Sequence, residues 1–214
     1  MMNLWGRTTS VNVQKVMWTL GELGVAHERI DAGGAFGRND TPEFAAMNPN
    51  KLVPVLDDNG FALWESDAIV RYLASTYGRG TLAPGDARQA ARADQWMAFS
   101  ASSLQPEIIG VCFWGLIRTA SADRNVAAIE ASARKVGDKL AILDQQLAGR
   151  QYLIGDTLTM ADIPAGALMY RYFTLPIARP ALPNVEAWYA RLQSRPAYAA
   201  AVMTDYGSLK VPGA

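Results

Sequence analysis

The sequence predicts a small α/β domain followed by an all-α helical domain, and three observations carry that prediction. Residues 52–69 run strand, tight turn, strand and polar helix start. Ahead of them, two short apolar stretches flank one amphipathic segment, which gives a β-α-β order. Beyond the glycine- and proline-punctuated residues 78–86 the chain is alanine-rich and helical in period, without a strand pattern. We therefore expect an α/β unit over 1–77, a linker over 78–86 and a helical unit over 87–214.

Leu4-Trp5 marks the first strand. From about residue 10 to 23, Val13, Val16, Met17 and Leu20 recur at three- and four-residue steps, which gives a helix one buried face. His27 to Ile30 is the second strand, and the glycine-rich residues 31–40 form a loop. Thr41-Pro42-Glu43 then starts a short helix with proline at its first position. Val55 to Asp57 and Phe61 to Trp64 are strands joined by Asp58-Asn59-Gly60, whose Asn-Gly pair supplies the positive φ angles of a hairpin turn. Pro54 has no N–H and is tolerated at a strand's first residue, where a cis Val53–Pro54 bond would turn the backbone of Val53 outward. Residues 66–77 form a helix with Ile69, Val70 and Leu73 on one side. Helices follow at about 87–116, 123–147, 160–172, 184–194 and 196–203. Thr159 and Asp162 have the spacing of a capping box, and Leu158 with Ile163 supplies the hydrophobic staple.

Half of the residues are hydrophobic, enough for a sizeable core, and 20 basic residues balance 20 acidic ones without a long single-sign run. That balance argues against nucleic acid or an anionic membrane as partner, and favours a small neutral or zwitterionic ligand. No apolar run approaches the roughly 20 residues of a membrane span, and the N-terminus lacks the apolar core of a signal peptide, so a cytoplasmic location is expected. Cys112 is the only cysteine, which rules out internal disulfides, a CxxC redox pair and a cysteine-based metal cluster. His27 is the only histidine and has no serine-triad context.

The hairpin with Val53-Pro54, the pair Glu65-Ser66, the box Thr159-Met160-Ala161-Asp162, Ser10 near the N-terminus and the tail Leu182-Pro183-Asn184-Val185-Glu186-Ala187-Trp188-Tyr189 together resemble the glutathione S-transferase family over almost the whole chain. The resemblance is to a serine-type, bacterial, theta- or nu-like member. It implies a thioredoxin-like first domain, a helical second domain, glutathione as co-substrate, no metal, and a homodimer.

Ser10 precedes a helix whose free N–H groups and positive dipole end favour an anion. On spacing alone it is an N-cap. The resemblance makes it the hydroxyl that donates to the glutathione sulfur, with Thr8 and Thr9 close enough to substitute if the loop register differs by one. Asn12 stands where several serine-type classes carry proline or cysteine, and Ser10-Val11-Asn12 looks like a serine version of the nu-class Thr-x-Asn, which makes Asn12 a second donor to sulfur. Its alternative is a solvent-facing first-turn residue. The resemblance places the cysteinyl part of glutathione against Val53 and Pro54, its glycine carboxylate near Lys51, with Asn50 a weaker candidate, and its γ-glutamyl end at Glu65 and Ser66. Glu65 would meet the ammonium group, and Ser66 the carboxylate at a helix start; Ser66 is otherwise a cap. In the run Val111-Cys112-Phe113-Trp114-Gly115-Leu116, Trp114 and Arg118 lie a four-residue step apart and are the candidate hydrophobic-pocket pair. Phe113 and Trp114, about 100° apart on an α-helix, are not expected to point the same way. Cys112 is expected to be a buried thiol without a role.

The function so implied is conjugation of the glutathione thiolate to small electrophilic apolar compounds. Two alternatives stand beside it. One is glutathione-dependent disulfide reduction, where without a usable protein thiol the exchange runs between bound glutathione and substrate. The other is a non-catalytic binding or regulatory protein on the same fold.

Overall fold

The computed structural model describes residues 1–213. Its N-terminal part carries β1 (Met2–Trp5), α1 (Val11–Leu23), β2 (Glu28–Ile30), α2 (Pro42–Met47), β3 (Val55–Asp58), β4 (Phe61–Trp64) and α3 (Ser66–Tyr77). The sheet order is β2-β1-β3-β4, with β1 parallel to β2 and the remaining pairs antiparallel. Asn59 and Gly60 both take positive φ in the hairpin turn, as the Asn-Gly pair requires, and the Val53–Pro54 bond is cis. The helical domain carries α4 (Ala87–Phe99), α5 (Trp114–Ile117), α6 (Val126–Leu147), α7 (Asp162–Thr174), α8 (Pro183–Gln193) and α9 (Pro196–Val202).

One expectation needs correction. The single α-helix expected over 87–116 holds α-geometry only to Phe99; Ser100–Leu104 and Pro106–Phe113 are π-helical. Pro106 accounts for the change, because a helix-interior proline lacks the N–H and its ring presses on the carbonyl four residues back. Lengthening the bonds to i→i+5 lets the helix pass that point without breaking.

α1 is buried on two sides. Val13, Val16 and Leu20, each 0% exposed, join Leu4, Leu56, Ile69 and Leu73 beneath the sheet. Val11 and Trp18 point the other way into the core of the helical domain. There the Trp18 ring meets the Tyr198 ring edge-on at 4.8 Å. Gly166 in α7 makes the fit possible: a Cβ added to it would lie 2.8 Å from two ring atoms of Trp18.

The capping box forms around a fully buried carboxylate. Asp162 Oδ2 accepts from the Thr159 N–H at 3.1 Å, and Oδ1 accepts from Leu153 N–H at 3.0 Å and Trp188 Nε1–H at 3.1 Å. The Thr159 hydroxyl accepts from Ala161 N–H at 3.3 Å. Leu158 and Ile163 of the staple are both buried in the same core. Burial pushes the Asp162 carboxyl up to about 6, against hydrogen bonds that pull it down. Its structural use therefore exceeds a cap, since it also ties α8 and residue 153 to the start of α7.

Asp58 plays a similar part at the end of the central strand β3, where Tyr77 and Tyr72 donate to its Oδ2 at 2.5 and 2.7 Å and bind that strand to α3. Those hydroxyls hold the Asp58 carboxyl below its ordinary value, and the bond to the carboxylate pushes the Tyr77 phenol up to about 12.

Two outcomes follow for stability. Asp162→Ala strands the buried donors of Leu153, Thr159 and Trp188, each unmade bond costing about 1–3 kcal/mol, so thermal unfolding shifts down by several degrees at about 2–4 °C per kcal/mol; calorimetry with ligand titration should show that the folded fraction binds glutathione normally, and a selective loss of affinity would contradict the structural role. Because the folded-state pKa of Asp58 is depressed, its contribution is present above its unfolded pKa and is lost as pH falls through the folded one. Denaturant titrations across acid pH should therefore show Tyr77→Phe less stable than the parent near neutrality, with the gap shrinking in acid; a gap that widens in acid would refute the assignment.

Candidate active site

Two clefts meet at the start of α1. Ser10 sits at the N-cap position with extended backbone, φ −86° and ψ 122°, yet its side chain makes no capping hydrogen bond. Ser10 borders both clefts, and so does Asn12. The Asn12 Oδ1 accepts from Gln105 Nε2–H at 3.1 Å, which leaves its amide NH2 available as a donor. Of the two threonines that precede Ser10, Thr9 borders the second cleft only and Thr8 neither. Both are held through their carbonyls: Thr8 O accepts from Gln14 Nε2–H, and Thr9 O accepts from Arg171 Nη2–H at 2.7 Å.

The first cleft, about 300 Å3, is bordered on its far side by Lys51, Val53, Pro54, Glu65 and Ser66. Five of the seven residues singled out from the sequence as one ligand surface thus line one wall, and Ser10 and Asn12 complete the set. Asn50 is not among the bordering residues; its N–H donates to Asn48 Oδ1, and Asn48 itself borders the cleft. Lys51 and Glu65 both have positive φ, 56° and 70°, a conformation that costs a side-chain-bearing residue free energy and collects at functional sites. Glu65, not Ser66, occupies the N-cap of α3, and its side chain makes no capping bond, so neither member of the pair is used as a cap.

Behind this wall lies a charged group that sequence reasoning left in the background. Lys15 is 1% exposed. Its Nζ donates to Asp67 Oδ1 at 3.0 Å and to Gln105 Oε1 at 2.8 Å, and reaches Ser66 Oγ at 3.5 Å. Burial lowers its pKa and Asp67 raises it. One side chain therefore links α1, the start of α3 and the π-helical segment, and fixes the Gln105 amide that orients Asn12.

The second cleft, about 170 Å3, is bordered by Ser10, Ile109, Phe113, Trp114, Arg118 and Arg171 among others. Trp114 and Arg118 meet as expected, the guanidinium carbon 5.4 Å from the indole centroid. Phe113 and Trp114, expected to diverge, border the same cleft, Phe113 buried at 4% exposure and Trp114 at its mouth at 53%. The two side chains still diverge, Phe113 into the interior and Trp114 toward solvent at the rim of the cleft. Arg7 borders both clefts and leans on the loop at Gly33 and Gly34. The sequence signal for Arg171 was visible but unused, a lone cation inside an otherwise apolar helix.

Cys112 is fully buried, its pKa raised by that burial, and borders neither cleft. His27 Nδ1 contacts the Val25 carbonyl at 3.0 Å, away from the site. Among the described residues no cluster of His, Cys, Asp and Glu has the make-up of a metal site, and no helix is long and apolar enough to cross a membrane.

Comparison with known proteins gives the family of the chain. The family model for the glutathione S-transferase N-terminal domain matches residues 1–75, and that for the C-terminal domain matches residues 104–196. The chain is 40% identical over 205 residues to glutathione S-transferase GstB of Escherichia coli, covering 95% of this chain and 98% of the relative. It is 31% identical over 201 residues to glutathione S-transferase 4 of Zea mays, covering 92% and 89%. A crystal structure of the theta class glutathione S-transferase from Xanthomonas axonopodis pv. citri with glutathione bound superposes with a TM-score of 0.89 at 46% identity, covering 95% of this chain and 98% of that one. Matched in both halves and aligned almost end to end with such relatives, the chain belongs to the glutathione S-transferase family.

Proposed function

We propose that the protein is a glutathione transferase that holds glutathione in the first cleft and presents its sulfur, at Ser10, to an electrophile in the second. The observation that carries this reading is Ser10, which borders both clefts and whose hydroxyl is not used to cap its own helix. Glu65 and Ser66 receive the γ-glutamyl end, the Val53–Pro54 backbone receives the cysteinyl part, and Lys51 receives the glycine carboxylate. Residues 1–77 then form the glutathione half and 87–214 the co-substrate half, joined by 78–86.

The chemistry is positioning plus stabilisation of a thiolate. An ordinary thiol has a pKa near ~8.5. A hydrogen bond made to the charged form is worth about 1.5–3 kcal/mol, or about one to two pKa units, which brings the sulfur near neutrality. The Ser10 hydroxyl and the Asn12 amide NH2 are the donors, and the N-terminus of α1 adds its dipole. The sulfur forms the new bond to carbon, and the leaving group departs with the electron pair of the bond it loses.

Disulfide reduction by bound glutathione is the second reading, favoured by Ser10 and Asn12 together bordering both clefts. Since Cys112 is buried, reductase activity that disappears in Cys112→Ala would exclude it. We also assign the protein to the cytoplasm and to a homodimer. Exposed Phe61 and Tyr77, 51% and 41% accessible around Tyr72, support the dimer.

With glutathione bound at neutral pH, the ultraviolet difference spectrum should show a thiolate band that is absent in Ser10→Ala. In that variant the pH profile of kcat/KM should move up by about one to two units, because more alkaline solution is needed to ionise the thiol; an unmoved profile would remove Ser10 from the mechanism. Light scattering should return twice the chain mass of 23.2 kDa, and the chain mass itself would rule out the dimer.

A further inference from the structure

Three guanidinium groups converge on the second cleft, from Arg7, Arg118 and Arg171, and no carboxylate borders it. None of the three belongs to an ion pair among the described residues, although five other cations do. Arg171 is the innermost, at 2% exposure. Its Nη1 donates to Gln14 Oε1 at 2.9 Å and its Nη2 to Thr9 O at 2.7 Å, both neutral acceptors, while its Nε is buried with no partner. The rings of Phe113 and Tyr206 lie 5.0 and 5.9 Å from its guanidinium carbon. Arg118 rests over Trp114 with a single long contact of 3.4 Å to Leu209 O.

Tying the loop before Ser10 to α7 accounts for two donors of Arg171. It accounts neither for its idle Nε nor for the other two cations. Like charges gathered in a partly dehydrated wall repel one another, and burial together with this repulsion pulls both Arg171 and Arg7 below the usual arginine range. Buried cations in proteins are ordinarily paired. Here the protein supplies no counter-ion, so the missing negative charge is the ligand's.

We propose that the co-substrate cleft selects electrophiles bearing an anionic group, a carboxylate or equivalent oxyanion on an apolar body no larger than a single ring. The inference rests on the transferase reading and narrows the apolar electrophile expected from sequence. Size sets the upper limit. A cavity of roughly 150 Å3 accepts benzene, and this cleft holds about 170 Å3, against about 300 Å3 in the neighbouring one, so its interior takes one ring. The oxyanion meets the guanidinium groups, the body lies on Ile109 and Phe113, and the electrophilic carbon faces the sulfur at Ser10. With an aryl chloride the sulfur bonds to the ring carbon, chloride leaves with the C–Cl electron pair, and the carboxylate is unchanged.

The test compares 4-chloro-3-nitrobenzoate with 4-chloro-3-nitrobenzamide as co-substrates of glutathione, each rate divided by its uncatalysed rate. The benzoate should be favoured by about tenfold or more in kcat/KM, the scale of one charge-assisted hydrogen bond. The preference should weaken when salt is raised to about 0.5 M, and it should shrink in Arg118→Gln but persist in Arg118→Lys. In parallel, protein saturated with the unreactive S-methylglutathione is titrated with 3-nitrobenzoate and 3-nitrobenzamide by calorimetry, and the benzoate should again bind about tenfold more tightly. Equal or reversed preference in that titration overturns the proposal. Absence of conjugate from both aryl chlorides would instead remove the transferase reading, with the titration still deciding the anion preference.

Discussion

The structure depends on a helix that has no solvent-facing side along most of its length. α1 must satisfy the sheet through Val13, Val16 and Leu20 and the helical domain through Val11 and Trp18 at the same time. Trp18 enters a notch that exists only because residue 166 has no side-chain carbon, and interiors packed this closely leave little room for any other register. Once Trp18 is seated, the rotation of α1 about its axis is fixed. The residues at its N-terminus, Ser10 and Asn12, are then aimed as well.

The polar groups trapped in the same seam convert that packing into a defined site. Lys15 faces Asp67, Ser66 and Gln105; Gln14 lies between the Thr8 carbonyl and Arg171; and Glu22 accepts two bonds from Arg195, at 2.8 and 2.7 Å, and one from Trp18. The Lys15–Asp67 pair is the buried one; such a pair is a poor source of net stability, but losing one partner leaves an uncompensated charge worth about 3–5 kcal/mol of destabilisation. The effect is to penalise misalignment. The loop from Arg7 to Ser10 has no regular hydrogen-bond ladder to hold it, and it is pinned by Gln14 and Arg171 through its carbonyls.

The sequence disclosed what local patterns determine. The Asn-Gly turn, the strand alternation around it and the helix start at Ser66 depend on neighbours in the chain, and they lie where the pattern put them. One buried face of α1 was legible in Val13, Val16 and Leu20. The second was not, because Gln14, Lys15 and Thr19 interrupt it with polar side chains that are buried only through partners far away in sequence. The π-helical stretch was missed for a related reason: Pro106 was readable as a disturbance, but whether a helix breaks, kinks or widens at a proline is decided by what packs around it. In the first cleft, Lys51, Val53, Pro54, Glu65 and Ser66 cluster within a short segment and were found together. Arg7, Gln105 and Arg171 are brought to the clefts from three separate elements, and only the fold assembles them.

The continuity of the core from α1 into α7, α8 and α9 also limits how the molecule can move. In many two-domain enzymes, ligands enter and leave as the halves swing about a flexible connection. Here the halves share one packed interior, and swinging them apart would pull Trp18 from its notch and break the Glu22–Arg195 and Lys15–Gln105 contacts together. Access to the clefts therefore falls to the parts that lie outside this interior: the glycine-rich loop around Gly33 and Gly34 on one side, and Trp114 with Arg118 at the mouth of the other. Opening and closing by side chains and a short loop leave that shared interior packed.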